Sequence, residues 1–442
     1  MSLNGEVCLP GDKSIAHRAI ILGALSQGNT RIENFPFNKD CCFTVQAFQK
    51  LGIKIKTNKN NVIVFGKSLS GLKRSATDIF VGDSGTTYRL LLGVLAGQSF
   101  ASRLVADKAL SKRPMLRITA PLRLMGADII ARRKKKQSAG FEEYPPITIK
   151  GGNLKAITYS TPVASAQVKS AILLAGLFAE GKTKVIESVK TRDHSERMLQ
   201  LFKAGIKVSK NIITIDGGKG LFSPGKIYVP GDISSAAFFM VAAAIIPGSQ
   251  VIINNVSLNP SRIGILNVLK RMCVDIKICP HTACRPSSSL GVNTPQAEPI
   301  GDIIVKSSCL KGARVSRKEI PSLIDELPIL MVAASVAKGK TIFNGVGELR
   351  VKETDRIKSM SENLVKMGAK IKVEREGNFE NIVVEGVEQL SGAIVKSYGD
   401  HRTAMSMSIA GLQAKNKTKI DDISCVSKSF PDFFRILNSL KG

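Results

Sequence analysis

Tryptophan is absent from this chain, and only 5 Tyr stand among its 442 residues. Single-stranded nucleic acid is held by stacking on aromatic side chains. Most of the 18 Phe sit in apolar helical patterns instead, so a nucleic-acid partner is not expected. Long apolar runs are also missing. The longest, such as 236–246, are too short to span a bilayer. The opening residues Met1-Ser2-Leu3-Asn4-Gly5-Glu6 lack the basic and apolar segments of a secretion signal. The 8 Cys fall at irregular spacings and read as reduced, mostly buried thiols rather than a disulfide framework. A cytoplasmic protein without membrane contact is expected. Acids are scarce as well: 35 Asp and Glu face 64 Lys and Arg, a net charge of +29. That excess calls for an anionic partner. The densest basic run, Arg132-Arg133-Lys134-Lys135-Lys136, reads as a solvated hairpin loop.

What the chain does have is a phrase used six times. A polar cap is followed by an apolar helix rich in Ala and Leu, then by a turn and a strand. The turns begin at Gly28, Gly97, Gly181, Gly248, Gly339 and Asn416, each after an apolar stretch such as Ile15–Leu25 or Ala171–Phe178. The period of roughly 70–90 residues exceeds that of solenoids, so each unit is a folding module of its own. A second, amphipathic helix follows each strand. It ends at Leu51-Gly52, Met125-Gly126, Ala204-Gly205, Met272-Cys273 or Met367-Gly368, where Gly suits the left-handed residue past a helix. The first helices are apolar nearly all round and must be buried. Three such helices wrapped by three small sheets make one domain, and six modules make two α/β domains. The domains are expected at 14–231 and at 232–442 completed by 1–13, the N-terminal residues filling the sheet of the last module. The stretch Cys284–Pro299 reads as an exposed loop.

The caps carry the chemistry. They include Gly11-Asp12-Lys13-Ser14, Gly82-Asp83-Ser84-Gly85, Ser165-Ala166-Gln167, Gly231-Asp232, Asp325-Glu326 and Gly399-Asp400-His401-Arg402. Ser, Thr and Asp there are ordinary helix caps. Lys13, Arg18, Arg89 and Arg402 are not, because a cation near a helix N-terminus opposes the macrodipole. A cation fits there when an anion is bound as well. Loops after the strands add Lys112-Arg113-Pro114, Arg192-Asp193-His194, Arg350, Lys352, Arg356 and Lys428. Facing one cleft, these cations suit substrates with several phosphate and carboxylate groups. Asp325 and Glu353 are the acids among them. Each is either a proton-transfer group or a helix-start residue, and position alone leaves both open. Gly82–Thr87 lacks the full phosphate-loop pattern, no Ser-His-Asp or Cys-His set is evident, and Cys279-Pro280-His281-Thr282-Ala283-Cys284 has no second ligand pair for a metal.

Leu9–Arg18, Gly82–Thr87, Lys112–Met115, Ser165–Ser170, Asp325-Glu326, Arg350–Arg356 and Asp400–Arg402 together resemble the enolpyruvyl transferases, across essentially the whole chain. The resemblance implies two inside-out α/β barrels, each of three βαβαββ units, closing like a clamp on substrates in the interdomain cleft. It implies transfer of the enolpyruvyl group of phosphoenolpyruvate to the 5-hydroxyl of shikimate 3-phosphate through a tetrahedral intermediate, with no metal or organic cofactor, in a monomer. Lys13, Ser14, Arg18, Ser165, Ala166, Gln167, Arg192, Asp325 and Lys352 would hold shikimate 3-phosphate. Lys13, Gly85, Arg113, Gln167, Arg356, Arg402 and Lys428 would hold phosphoenolpyruvate. Asp325 would accept the hydrogen bond of the 5-hydroxyl and help activate it, and Glu353 would exchange a proton at the methylene carbon, with Lys13 as the other acid/base. Glyphosate would compete at the phosphoenolpyruvate site. Arg192-Asp193-His194 matches the second class of these enzymes. Asp83 departs from the family's usual Asn. The sister branch that uses UDP-N-acetylglucosamine fits less well, because Ser14 follows Lys13 and no Cys stands at 109–113.

Overall fold

In the chain's computed structural model, which describes residues 2–135, 140–281 and 298–441, the six apolar stretches become helices with almost no wet face. The 12 α-helices among the described residues come as pairs: α1 (Lys13–Leu25) and α2 (Lys39–Lys50), α3 (Gly85–Ala96) and α4 (Leu116–Leu124), α5 (Ala166–Gly176) and α6 (His194–Leu201), α7 (Ile233–Ile245) and α8 (Gly264–Arg271), α9 (Leu327–Ser335) and α10 (Arg356–Lys366), α11 (His401–Gln413) and α12 (Phe433–Ser439). The odd-numbered helices are the buried ones; in α7 every residue but Ser235 is buried. The even-numbered helices are two-faced. In α10, Ile357, Met360 and Leu364 point inward at helical spacing while Lys358, Glu362 and Lys366 are exposed.

Each module builds its sheet around its first helix. In the second, Ile79–Phe80 precedes α3 and lies parallel to Ala101–Val105, which follows it. The hairpin Asp128–Lys135 and Phe141–Lys150 then completes an antiparallel edge. The third and fifth modules repeat this order. The first and fourth exchange one strand. Asn4–Cys8, which precedes α1, lies parallel to Gln250–Ser257 of module four. Lys226–Tyr228, which precedes α7, lies parallel to Asn29–Glu33 of module one. The sixth module keeps only the pair Ile394–Val395 and Lys419–Ile420.

The chain divides into two compact units. One holds residues 11–229 with Glu298, and the other holds 2–10, 230–281 and 299–441. Each has its own apolar core, the first built around α1, α3 and α5 and the second around α7, α9 and α11.

Three local expectations are corrected. The N-terminal strand joins module four rather than filling the sheet of module six. Its link to the C-terminus is a bridge between Leu3 and Lys441 and a hydrogen bond from Asn4 N to Leu440 O of 2.8 Å. The basic run is strand, not loop. Arg132 to Lys135 pair with Tyr144 to Phe141, and Arg133 stacks 4.6 Å over the Phe141 ring. Past α6 the left-handed residue is Lys203 (φ 60), not Gly205, whereas Gly52, Gly126 and Gly368 fill that role after α2, α4 and α10. Cys273 takes it after α8 at φ 64. Lys136, most of the Cys284–Pro299 stretch and Cys284 itself lie outside the described residues. Among the described residues no helix is long and apolar enough to cross a membrane.

Candidate active site

In the 11–229 unit the site starts at the cap of α1. Asp12 accepts from Ile15 N, so Lys13 is the first helical residue, and its ammonium lies 2.7 Å from Asp40 on α2. One turn on, buried Arg18 donates from Nε to Ser195 Oγ (2.7 Å), from Nη1 to the Ser14 carbonyl (2.8 Å) and from Nη2 to Ser170 Oγ (2.8 Å). One guanidinium thereby ties together the starts of α1, α5 and α6. Burial, opposed by Glu196 and Asp12 and helped by Arg192, brings its pKa down to about 10. It remains a cation at neutral pH. Ser165 caps α5 by accepting from Val168 N, and Ala166 opens the helix.

The loop that carries Arg192 is held from below. Lys169, fully buried, forms ion pairs with Glu196 (2.6 Å) and Glu187 (3.1 Å). Glu187 in turn accepts from Thr191 N at 3.1 Å. Arg89 donates to Gln167 Oε1, and Gln167 Nε2 donates to Thr86 Oγ1 at 3.0 Å. Gly85 lies in the same corner. A Cβ there would fall 2.7 Å from Arg113 Nη1 and 3.6 Å from Arg89 Nη1. The absent side chain lets two guanidinium groups converge.

Two histidines hold structure. His17 Nδ1 lies 2.7 Å from Thr44 Oγ1, and burial drives its pKa down to about 3, so the ring is neutral. His194 Nδ1 lies 2.6 Å from Glu298 Oε1.

In the other unit everything turns on Arg356, the first residue of α10 and 1% exposed. Its Nε donates to Asp400 Oδ2 at 2.8 Å, Nη2 to Glu353 Oε2 at 2.6 Å and Nη1 to Asp325 Oδ1 at 3.4 Å. Burial pulls its pKa down, but Asp400, Glu353 and Asp325 outweigh that and raise it. Asp400 also caps α11, accepting from Arg402 N and Thr403 N. Arg402 Nη1 donates to the Asp325 carbonyl at 2.9 Å.

The helix-start alternatives for the two acids do not hold. Glu326, not Asp325, occupies the cap position of α9, and Glu353 precedes Asp355, the cap of α10. Both carboxylates instead share one guanidinium. Lys352 stands beside them half-buried. Burial lowers its pKa against the pull of Asp325 and Glu348. Lys428 ends a 3-10 turn, Ser424–Lys428, packed on α11. Arg350 does not join the cluster; Glu380 and Asp355 bind it on an exposed face. Near Cys279, His281 pairs with Asp302 at 2.9 Å. Among the described residues no group of three or more His, Cys, Asp or Glu is placed to hold a metal.

Each unit therefore carries buried arginines within the first two turns of its helices, and one adds two carboxylates that share a guanidinium. A model of the family EPSP synthase (3-phosphoshikimate 1-carboxyvinyltransferase) matches residues 1–437. The chain belongs to the EPSP synthase family. A relative from Bacillus cytotoxicus named 3-phosphoshikimate 1-carboxyvinyltransferase is 44% identical over 438 residues, covering 99% of this chain and 98% of its own. One of the same name from Desulforamulus reducens is 46% identical over 439 residues, covering 99% and 97%. A solved EPSP synthase from Acinetobacter baumannii matches the mixed α/β fold with a TM-score of 0.83 at 41% identity, over 99% of this chain and 96% of that one.

Several members of these clusters were not picked out from sequence. Asp40 beside Lys13, Ser195 beside Arg18, and Lys169 with Glu187 and Glu196 are examples. Ser195 directly follows Arg192-Asp193-His194, and that adjacency was the available signal. Nothing in the sequence pairs Lys169 with Glu187.

Proposed function

We propose that this chain transfers the enolpyruvyl group of phosphoenolpyruvate to the 5-hydroxyl of shikimate 3-phosphate, releasing phosphate, as a step of aromatic amino-acid biosynthesis. The observation that carries the reading is the Arg356 cluster. Asp325 and Glu353 share one buried guanidinium in a chain whose relatives at 44% and 46% identity bear this activity's name. In this reading Lys13, Ser14, Arg18, Ser165, Ala166, Gln167, Arg192, Asp325 and Lys352 bind shikimate 3-phosphate. Lys13, Gly85, Arg113, Gln167, Arg356, Arg402 and Lys428 bind phosphoenolpyruvate.

The geometry supports the roles as follows. A carboxylate held against Arg356 stays ionised, so Asp325 can accept the proton of an attacking hydroxyl. Glu353, on the same guanidinium, exchanges a proton with the methylene carbon, and Lys13 serves as the other acid/base. Protonation of the enol phosphate at its methylene carbon makes the neighbouring carbon electrophilic, the hydroxyl adds there to give a tetrahedral intermediate, and loss of a methyl proton then re-forms the double bond as phosphate departs, its charge stabilised by cations. Holding two mutually repelling anions in register supplies much of the acceleration. Each unit, with three buried helices among small sheets, is read as an inside-out barrel, and the enzyme as a cytoplasmic monomer that uses no cofactor.

The test is a phosphate-release assay with purified protein and phosphoenolpyruvate. Release is expected only when shikimate 3-phosphate is added. Equal turnover with UDP-N-acetylglucosamine as acceptor would overturn the assignment.

A further inference from the structure

The residue after Asp325 is a buried acid with no part in the scheme above. Glu326 is 0% exposed and sits at the cap position of α9, yet its side chain makes no capping bond to that helix. Its carboxylate reaches sideways. Ser234 Oγ, in the first turn of α7, donates to Glu326 Oε1. Arg262 Nη2 donates to the same Ser234 Oγ at 2.7 Å and lies 3.6 Å from Glu326 Oε1 and 3.5 Å from Asp232 Oδ1. Arg262 is itself 1% exposed. The start of α9 is thus bolted to the start of α7.

On the other side of the same peptide, Arg402 at the start of α11 donates to the Asp325 carbonyl at 2.9 Å. Asp325 lies between these two grips, and its carboxylate has the remaining freedom to meet Arg356 Nη1 at 3.4 Å.

Stability alone is a poor reason for this arrangement. Replacing a buried ion pair by apolar side chains of similar volume is often neutral or stabilising. A Ser or Asp would cap α9 more directly. What the buried acid adds is direction, because a carboxylate fixed to a second helix stops the Asp325–Glu326 turn from rotating. We propose that Glu326, gripped by Ser234 and Arg262, is a positioning residue that sets the aim of the Asp325 carboxylate at the substrate hydroxyl. The proposal rests on Asp325 receiving that hydroxyl's proton.

The test compares Glu326→Ala, Glu326→Gln, Ser234→Ala and Asp325→Asn, alone and with Glu326→Ala added to Asp325→Asn. Misplacement of a reacting group by about 1 Å can lower the rate on the order of a hundredfold. Glu326→Ala is therefore expected to lower kcat about ten- to a hundredfold, with KM for phosphoenolpyruvate within about twofold. Glu326→Gln keeps an acceptor for Ser234 and should recover most of that loss. In the Asp325→Asn background Glu326→Ala should cause little further loss, because both act through one group. A merely structural role would give the same proportional loss in both backgrounds, which overturns the proposal, as would failure of Glu326→Gln to rescue. If Glu326→Ala does not fold, Ser234→Ala decides. A fall in kcat at constant KM supports the proposal, and wild-type kcat overturns it. Wild-type kcat in Asp325→Asn would overturn the role of Asp325 itself. That result is separate from an inactive Asp325→Asn beside a fully active Glu326→Ala, which sinks only the positioning role.

Discussion

Replacing Gly85 by Ala would put a methyl carbon 2.7 Å from Arg113 Nη1, closer than any real contact. The guanidinium is the movable partner, so the variant should fold while Arg113 swings aside. We expect KM for phosphoenolpyruvate to rise about tenfold with a smaller change for shikimate 3-phosphate. Glyphosate, expected to compete for the same cations, should lose potency in parallel; initial rates at varied substrate and inhibitor measure both. Unchanged constants would mean that Arg113 does not touch phosphoenolpyruvate. His17 gives a second prediction at this scale. Burial holds its pKa near 3 against an ordinary 6.5. Below pH 6.5 the unfolded chain binds a proton that the folded protein refuses, so stability is full above that value and falls as pH drops toward 3. The expected contribution is a loss of about 2 kcal/mol between about pH 7 and pH 5. Urea unfolding of His17→Gln at both pH values should show that much less acid sensitivity; equal loss would refute the assignment.

The helix ends show how local rules meet tertiary ones. Cys273 sits past α8 at φ 64, in the left-handed region that a Cβ disfavours. Cys273→Gly should therefore stabilise the protein, by about 1 kcal/mol after allowing for the looser unfolded chain. A rise in thermal midpoint checks it, and a fall would show that the exposed Cys side chain contributes more than the strain removes. The buried helices, the N-caps Asp12, Ser165 and Asp400, and the cations at helix starts were all readable in the sequence. They depend on residues within one or two turns of one another. Partner choice was not readable in that way. Arg356 meets Asp400 across 44 positions, and Arg262 meets Glu326 across 64, a choice made by packing. Charge misled in one place. Arg132 to Lys135 resemble a loop by composition, yet they form the end of a hairpin exposed on both faces, which accepts long basic side chains, and the stacking of Arg133 on Phe141 favours it. Gly205 does not turn the chain because α6 ends two residues early, leaving Lys203 to do so.

For the whole molecule, the net charge of +29 exceeds what the candidate site contains. Its effect should be on encounter with anionic substrates, since a positive field raises association rates and salt screens it. Between about 20 mM and about 300 mM NaCl, kcat/KM should fall several-fold while kcat moves much less. A parallel fall in both would locate the effect in the chemical step instead. The exchanged strands have a different consequence, felt before the enzyme is complete. Asn4–Cys8 leaves the ribosome first but must wait for Gln250–Ser257, and Asn29–Glu33 must wait for Lys226–Tyr228. For most of synthesis the nascent chain therefore carries two unpaired β edges, the kind of surface that invites wrong partners. The 11–229 unit can seal while translation continues. The other can seal only near its end, so a chain stalled before residue 250 would hold an N-terminal strand with nowhere to dock.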